Sequence, residues 1–303
     1  MGCPQVVFTS LPGSATEQEL AKFKTVTADP PKNVSQPEPV LLAENTQVFV
    51  PKGIASVVLK DGRQYSAIAN TLLFVSWFEG HIGSMLYQGL DEKHEDRNYK
   101  HEDLIYFEDM QEFTVKLTDD DKTGYFQITD YDNQQQTKKI NNPTEEIWFI
   151  DADQPSELRK VNFQALNTVK FNHGMKPDKP ILMTLIQRKD QPDLAVPQAF
   201  IQFGLRDSTN VVPRGYWSTD LPLETNGKIA LKRLKSITID QVIRTPAMYQ
   251  MYTEAELTIE KKNGEIIKDR LNENITMHVL TKSGLSEPLI AKMTKIIFNA
   301  LDI

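Results

Sequence analysis

Four stretches of this chain repeat one spacing of apolar residues, and that spacing constrains the fold more than any other feature. In residues 161–172 the apolar positions are Val161, Phe163, Leu166, Val169 and Phe171, set two, three, three and two apart. The spacing returns at Ile105, Phe107, Met110, Phe113 and Val115, and again at Ile229, Leu231, Leu234, Ile237 and Ile239. A fourth copy, Pro288, Ile290, Met293, Ile296 and Phe298, begins on proline. A step of two marks a strand, because alternate side chains point to the same face. Two successive steps of three predict a single 3₁₀-like turn, where residues i and i+3 eclipse. Each copy therefore reads strand, one turn, strand, and Asn172, Asp240 and Asn299 end three of the four. Pro288 demotes the first strand of its copy to an edge.

The copies start at residues 105, 161, 229 and 288. Such a period suits tandem small domains better than a solenoid, whose repeats are shorter. The expected fold is all-β: a tandem array of about four small β-barrel or β-sandwich modules after an extended N-terminal leader with one short helix. The boundaries follow from the copies: leader 1–47, then modules at 48–118, 119–176, 177–245 and 246–303. Modules this small bury little surface and are marginal alone, so neighbours should share an interface.

Turn signals support the strands. Asp61-Gly62 and Asn263-Gly264 each follow an alternating or β-branched run and predict hairpins. Further strands are expected at residues 125–129, 147–150, 181–187, 199–205, 255–259 and 275–280. The order of strand, Asp-Gly or Asn-Gly hairpin, further strands and strand–turn–strand resembles SH3-like small β-barrels. The residues that carry the resemblance are Leu59-Lys60-Asp61-Gly62 with 105–116, and 259–264 with 288–299. The third module departs from it, having no Asp-Gly hairpin. The resemblance implies a binding role toward peptides, proteins, nucleic acids or glycans rather than catalysis.

The leader carries its own signals. Ser14-Ala15-Thr16-Glu17 is a capping box, with Leu20 and Phe23 behind it, and predicts a short helix over about residues 15–24. Pro30, Pro31, Pro37 and Pro39 then favour extended chain. Met1-Gly2-Cys3 admits Cys3 as the lipidated first residue of a mature bacterial lipoprotein. Myristoylation of Gly2 is disfavoured by Val6, where Ser or Thr is wanted. The plain alternative is an incidental surface cysteine.

Composition narrows the function classes. A formal net charge of −7 argues against a nucleic-acid partner, which needs a basic stripe to displace counterions. One cysteine, Cys3, excludes intramolecular disulfides and thiolate metal cages. No run of eighteen apolar residues predicts a membrane-spanning helix.

Candidate chemistry is sparse. Lys93-His94-Glu95-Asp96 and Lys100-His101-Glu102-Asp103 repeat one tetrapeptide, so His94, Glu95, Asp96, His101, Glu102 and Asp103 are weak metal candidates. Alternating charges more often make a solvated loop, and no defined ligand spacing is met. Asp119, Asp120 and Asp121 before Gly124 lack the calcium-loop register and read as a turn. GxSxG, Walker and GxGxxG motifs are absent, so neither a catalytic residue nor a cofactor is expected. Tyr216, Trp217, Tyr249 and Tyr252 are candidate partner-binding aromatics, with Trp148 and Trp217 also readable as equivalent core positions.

These features favour a non-enzymatic structural or interaction component of the bacterial cell envelope. It would be lipid-anchored through Cys3 on the periplasmic side or the cell surface, and would contact a protein partner or a second copy through module faces or edges. The alternatives are a soluble glycan- or peptide-binding protein, cytoplasmic if unanchored, and a hydrolase with an unrecognised site.

Overall fold

The structure, a computed structural model, describes residues 42–77, 84–87, 89–90, 105–118, 124–140, 145–205, 217–244, 254–271, 275–286 and 288–302. Cys3 and the expected leader helix lie outside these residues. The first half of the body runs β1 (Gln47–Val48), β2 (Ile54–Leu59), β3 (Gln64–Ile68), β4 (Leu73–Trp77), β5 (Ser84–Tyr87), β6 (Gly89–Leu90), β7 (Ile105–Tyr106), β8 (Met110–Leu117), β9 (Gly124–Asp130), β10 (Gln135–Ile140), β11 (Glu146–Ile150), β12 (Leu158–Asn162) and β13 (Leu166–Asn172). The second half runs β14 (Leu182–Arg188), β15 (Leu194–Pro197), β16 (Gln202–Leu205), β17 (Trp217–Ser218), β18 (Asp220–Pro222), β19 (Lys228–Ala230), β20 (Leu234–Arg244), β21 (Glu254–Lys261), β22 (Ile266–Arg270), β23 (Ile275–Thr281), β24 (Gly284–Ser286) and β25 (Met293–Asp302). The described chain is all-β, with several separate sheets forming multiple β modules. Its only helical segments among the described residues are single 3₁₀ turns.

The repeated motif is a corner. At residues 107–109, 231–233 and 290–292 the steps of three form one 3₁₀ turn each, closed by a bond from the backbone N–H of the following residue to the first carbonyl of the turn. At 163–165 a looser turn serves, closed by the Ala165 N–H to the Asn162 carbonyl. The strand before a corner and the strand after it belong to different sheets, as in β12 to β13 and β19 to β20. Such corners let a chain leave one sheet and close over another. The first residue of each turn, Phe107, Phe163, Leu231 or Ile290, is buried and fills the bend. Pro288 precedes its turn outside any strand, in keeping with its missing ladder donor.

Two further corners join β3 to β4 at residues 69–71 and β15 to β16 at residues 198–200. The strand expected at residues 199–205 therefore starts later, at Gln202, because the chain turns directly after Pro197.

Three hairpins share one loop. In β2–β3 and β21–β22, Gly62 and Gly264 take φ of +87° and +85°. Asn133 does the same in β9–β10 at φ 60°. In each, three residues connect the strands and the third sits in the left-handed region, a type I turn with a bulge.

Strand pairing brings the motif copies together two by two. β8 and β13 lie side by side in a six-stranded sheet, β10-β9-β8-β13-β2-β3. β20 and β25 do so in a seven-stranded sheet, β1-β15-β14-β25-β20-β21-β22. One core cluster forms under the first half, around Phe74, Phe113, Phe126 and Phe163, and another under the second, around Ile237, Leu257, Val279 and Ile296. A third cluster joins them, with Phe49, Leu73, Trp148 and Ile150 packed against Ile181, Met183, Ala195 and Phe200.

Candidate functional site

Two edges of the large sheets are closed from within the fold. The outer side of β3 is taken by residues 151–152, with the Ala152 N–H donating to the Ser66 carbonyl at 2.6 Å. The outer side of β22 is met by the Glu224 N–H, which donates to the Arg270 carbonyl at 3.0 Å. Asp269 locks that turn in place. Its carboxylate accepts from the backbone N–H groups of Thr225, Asn226 and Arg270 and from the Asn226 side-chain amide, at 2.6–3.1 Å. It is only 9% exposed. Burial works to raise its pKa, but the N–H donors of Arg270, Asn226 and Thr225 outweigh it and hold the group below its ordinary value. β10 carries Lys138 and Lys139 on an exposed edge, a common guard against unwanted strand pairing.

β12 differs. It ends the four-stranded sheet β12-β11-β4-β5, and its outer side borders a cleft of about 560 Å³ between the halves. One wall comes from Glu157, Leu158 and Lys160; the other comes from the corner and strands around Gln198, Gln202, Ser218, Asp220 and Lys232. The wall positions follow from the two-residue period of β12. Val161 points into the first core, while Lys160 lies directly opposite Trp148 on β11.

That pairing sets the electrostatics. The Lys160 ammonium sits 3.7 Å from the centre of the Trp148 ring, a cation–π contact. The Trp148 indole N–H donates to Glu146 at 2.7 Å. Much of the long Lys160 side chain remains exposed, yet its charged end is crowded away from water. Desolvation lowers its pKa, opposed by the nearby Glu146 carboxylate. Glu157 is paired with Arg159 at 2.9 Å, and Arg159 also binds the buried Asp151 at 3.0 Å. The lining thus carries two carboxylates, Glu157 and Asp220, and two ammonium groups, Lys160 and Lys232.

At the floor lies Gln202, on β16, fully buried. Among the described residues neither its amide nitrogen nor its amide oxygen has a hydrogen-bond partner. A buried amide left unsatisfied costs about 1–3 kcal/mol, and such groups concentrate where a fold serves a purpose other than stability.

Of the candidate site residues picked out from sequence, Trp217 alone falls in the described chain, its backbone forming edge strand β17 next to the cleft residue Ser218. Trp148, read as a core position, is buried. Cys3, His94, Glu95, Asp96, His101, Glu102, Asp103, Tyr216, Tyr249 and Tyr252 lie outside the described residues. Among the described residues no group of three or more His, Cys, Asp or Glu side chains is placed to hold a metal ion. Lys160, Gln202, Asp220 and Lys232 were not marked by sequence. The one local signal is Lys160 immediately before the repeated motif, and its partner Trp148 becomes visible only with the β11–β12 register. Comparison with protein-family models, curated proteins and solved structures finds no match.

Proposed function

We propose that this chain is a non-enzymatic interaction component that receives a partner in the cleft between its two halves. The observation that carries this reading is the contrast at the sheet edges: β3 and β22 are covered from within, β10 is guarded by lysines, and β12 fronts an open polar cleft. The SH3-like order of hairpins and corners supports the same class, as an analogy of fold. The mixed lining of amides, hydroxyls and opposite charges suits recognition of a polar partner.

Its compartment is proposed from sequence alone. Met1-Gly2-Cys3 and the proline-punctuated stretch behind it support a lipid anchor at the bacterial envelope, with the cleft held off the membrane. Mass spectrometry of the native N-terminus tests the anchor, and an unmodified Met1 counts against it. A photocrosslinking residue at Thr219, exposed beside the cleft, tests the interaction. A discrete adduct is expected in cells from Thr219 and none from Gln135 on β10; equal labelling at both positions removes the cleft from the reading.

A further inference from the structure

We infer that the cleft takes an extended peptide segment of a partner protein, which adds as a fifth strand to the outer edge of β12. This rests on the cleft reading above and names its ligand.

The backbone of β12 supplies the first argument. In an antiparallel pair, residues alternate between those that exchange hydrogen bonds with the neighbour and those whose N–H and C=O point away. The Asp151 N–H donates to the Glu157 carbonyl at 3.3 Å, and the Phe163 N–H donates to the Glu145 carbonyl at 2.9 Å. The register between them is regular, so the odd-numbered residues of β12 face β11. Leu158 and Lys160 consequently turn their N–H and C=O groups outward, toward the cleft they line. No described residue takes these groups. Two residues of open ladder, about 7 Å apart, are what an incoming strand pairs with.

Chemistry of the walls supplies the second. The lining sets Lys160 and Lys232 against Glu157 and Asp220, so charges of both signs stand ready to pair with polar side chains of the strand. Ser218 and Thr219 offer hydroxyls from the facing wall. No aromatic ring is among the described lining side chains. The volume lies within the range of ligand pockets and admits a few residues of one strand.

The test uses the full chain, isotope-labelled for NMR, titrated with a capped hexapeptide of alternating valine and glutamate. Shifts centred on the Leu158 and Lys160 amides are expected. Methylating alternate peptide nitrogens should weaken binding at least tenfold, because the ladder loses its donors. A tetrasaccharide of N-acetylglucosamine is the comparison ligand. If the sugar moves Ser218 to Asp220 and the peptides move nothing, the peptide inference falls and the cleft reading stands. If neither ligand moves any cleft signal, both fall. Binding that survives N-methylation overturns strand addition.

Discussion

The two halves solve one construction problem with different materials. Both close their sheets with strand–corner–strand segments whose last strands pair, β8 with β13 and β20 with β25. The first half packs seven phenylalanines in its core cluster and the second packs two, Phe203 and Phe298, among aliphatic side chains. Phe126 sits edge-on to Phe113 and Phe163, at 5.9 and 5.0 Å, and such pairs add about 0.5–1.5 kcal/mol each beyond burial. The second half instead buries more polar groups, among them Thr184, Gln202, Ser236, Asp269, Thr276 and Thr281. A ring-packed core tolerates few polar atoms. The half that keeps them supplies the longer wall of the cleft, so the difference separates a part built for stability from a part that gives some up.

Positions eight residues into equivalent motif copies, Phe113 and Ile237, offer the largest test of this contrast. Phe113→Ala should cost about 3–5 kcal/mol and Ile237→Ala about 2–5 kcal/mol, read from urea midpoints. Leucine sharpens the comparison: Ile237→Leu should cost under about 1.5 kcal/mol, whereas Phe113→Leu forfeits its ring contacts and should cost clearly more. Equal costs would erase the distinction between the cores. Because the third cluster joins both halves, each variant should move a single shared transition; two separate transitions would show the halves to be independent.

Next in size is the clasp on β22. Asp269→Ala strands three backbone donors and should cost about 1–3 kcal/mol. Since the folded pKa of Asp269 is lowered, its contribution is fully present above the unfolded value of about 3.9 and is lost as pH falls through the lower folded value. The variant should therefore lose its deficit relative to the parent in strong acid. A deficit that persists unchanged there contradicts the assignment.

Gln202→Leu has the opposite sign. Replacing an unsatisfied buried amide by an apolar side chain should raise stability by about 1–2 kcal/mol. A lowered midpoint would place Gln202 among ordinary satisfied polar groups. Smallest is Lys235→Ala, which breaks an exposed 2.7 Å pair with Glu260 and should change stability by under about 0.5 kcal/mol.

The corners were legible where a bulky apolar residue fills the turn, as at Phe107, Phe163, Leu231 and Ile290. At one missed corner Gln198 takes that position and breaks the pattern; at the other Ala69, Leu72 and Val75 keep the steps of three but are hidden in the continuous apolar run of residues 72–75. The hairpin at residues 131–133 escaped because Asn133 does the work of glycine without a glycine beside it. Pairing between β8 and β13, or β20 and β25, is a matter of distant segments, which spacing along one chain does not encode. For the same reason the cleft was invisible: Lys160, Gln202 and Asp220 are ordinary residues until register and packing bring them to one wall or another.

The place where the described chain enters the body has a mechanical consequence. β1 lies parallel to β15, tied by the Gln47 N–H to the Asp193 carbonyl at 2.8 Å and the Phe49 N–H to the Ala195 carbonyl at 2.9 Å. Phe49 is buried in the cluster between the halves. Tension applied from the N-terminal side is thus carried into the second half's large sheet before it reaches β2. A pull strong enough to strip two residues from β15 would draw Phe49 out of the seam, so the first element to yield under load is also the one that helps hold the two halves, and the cleft between them, in register.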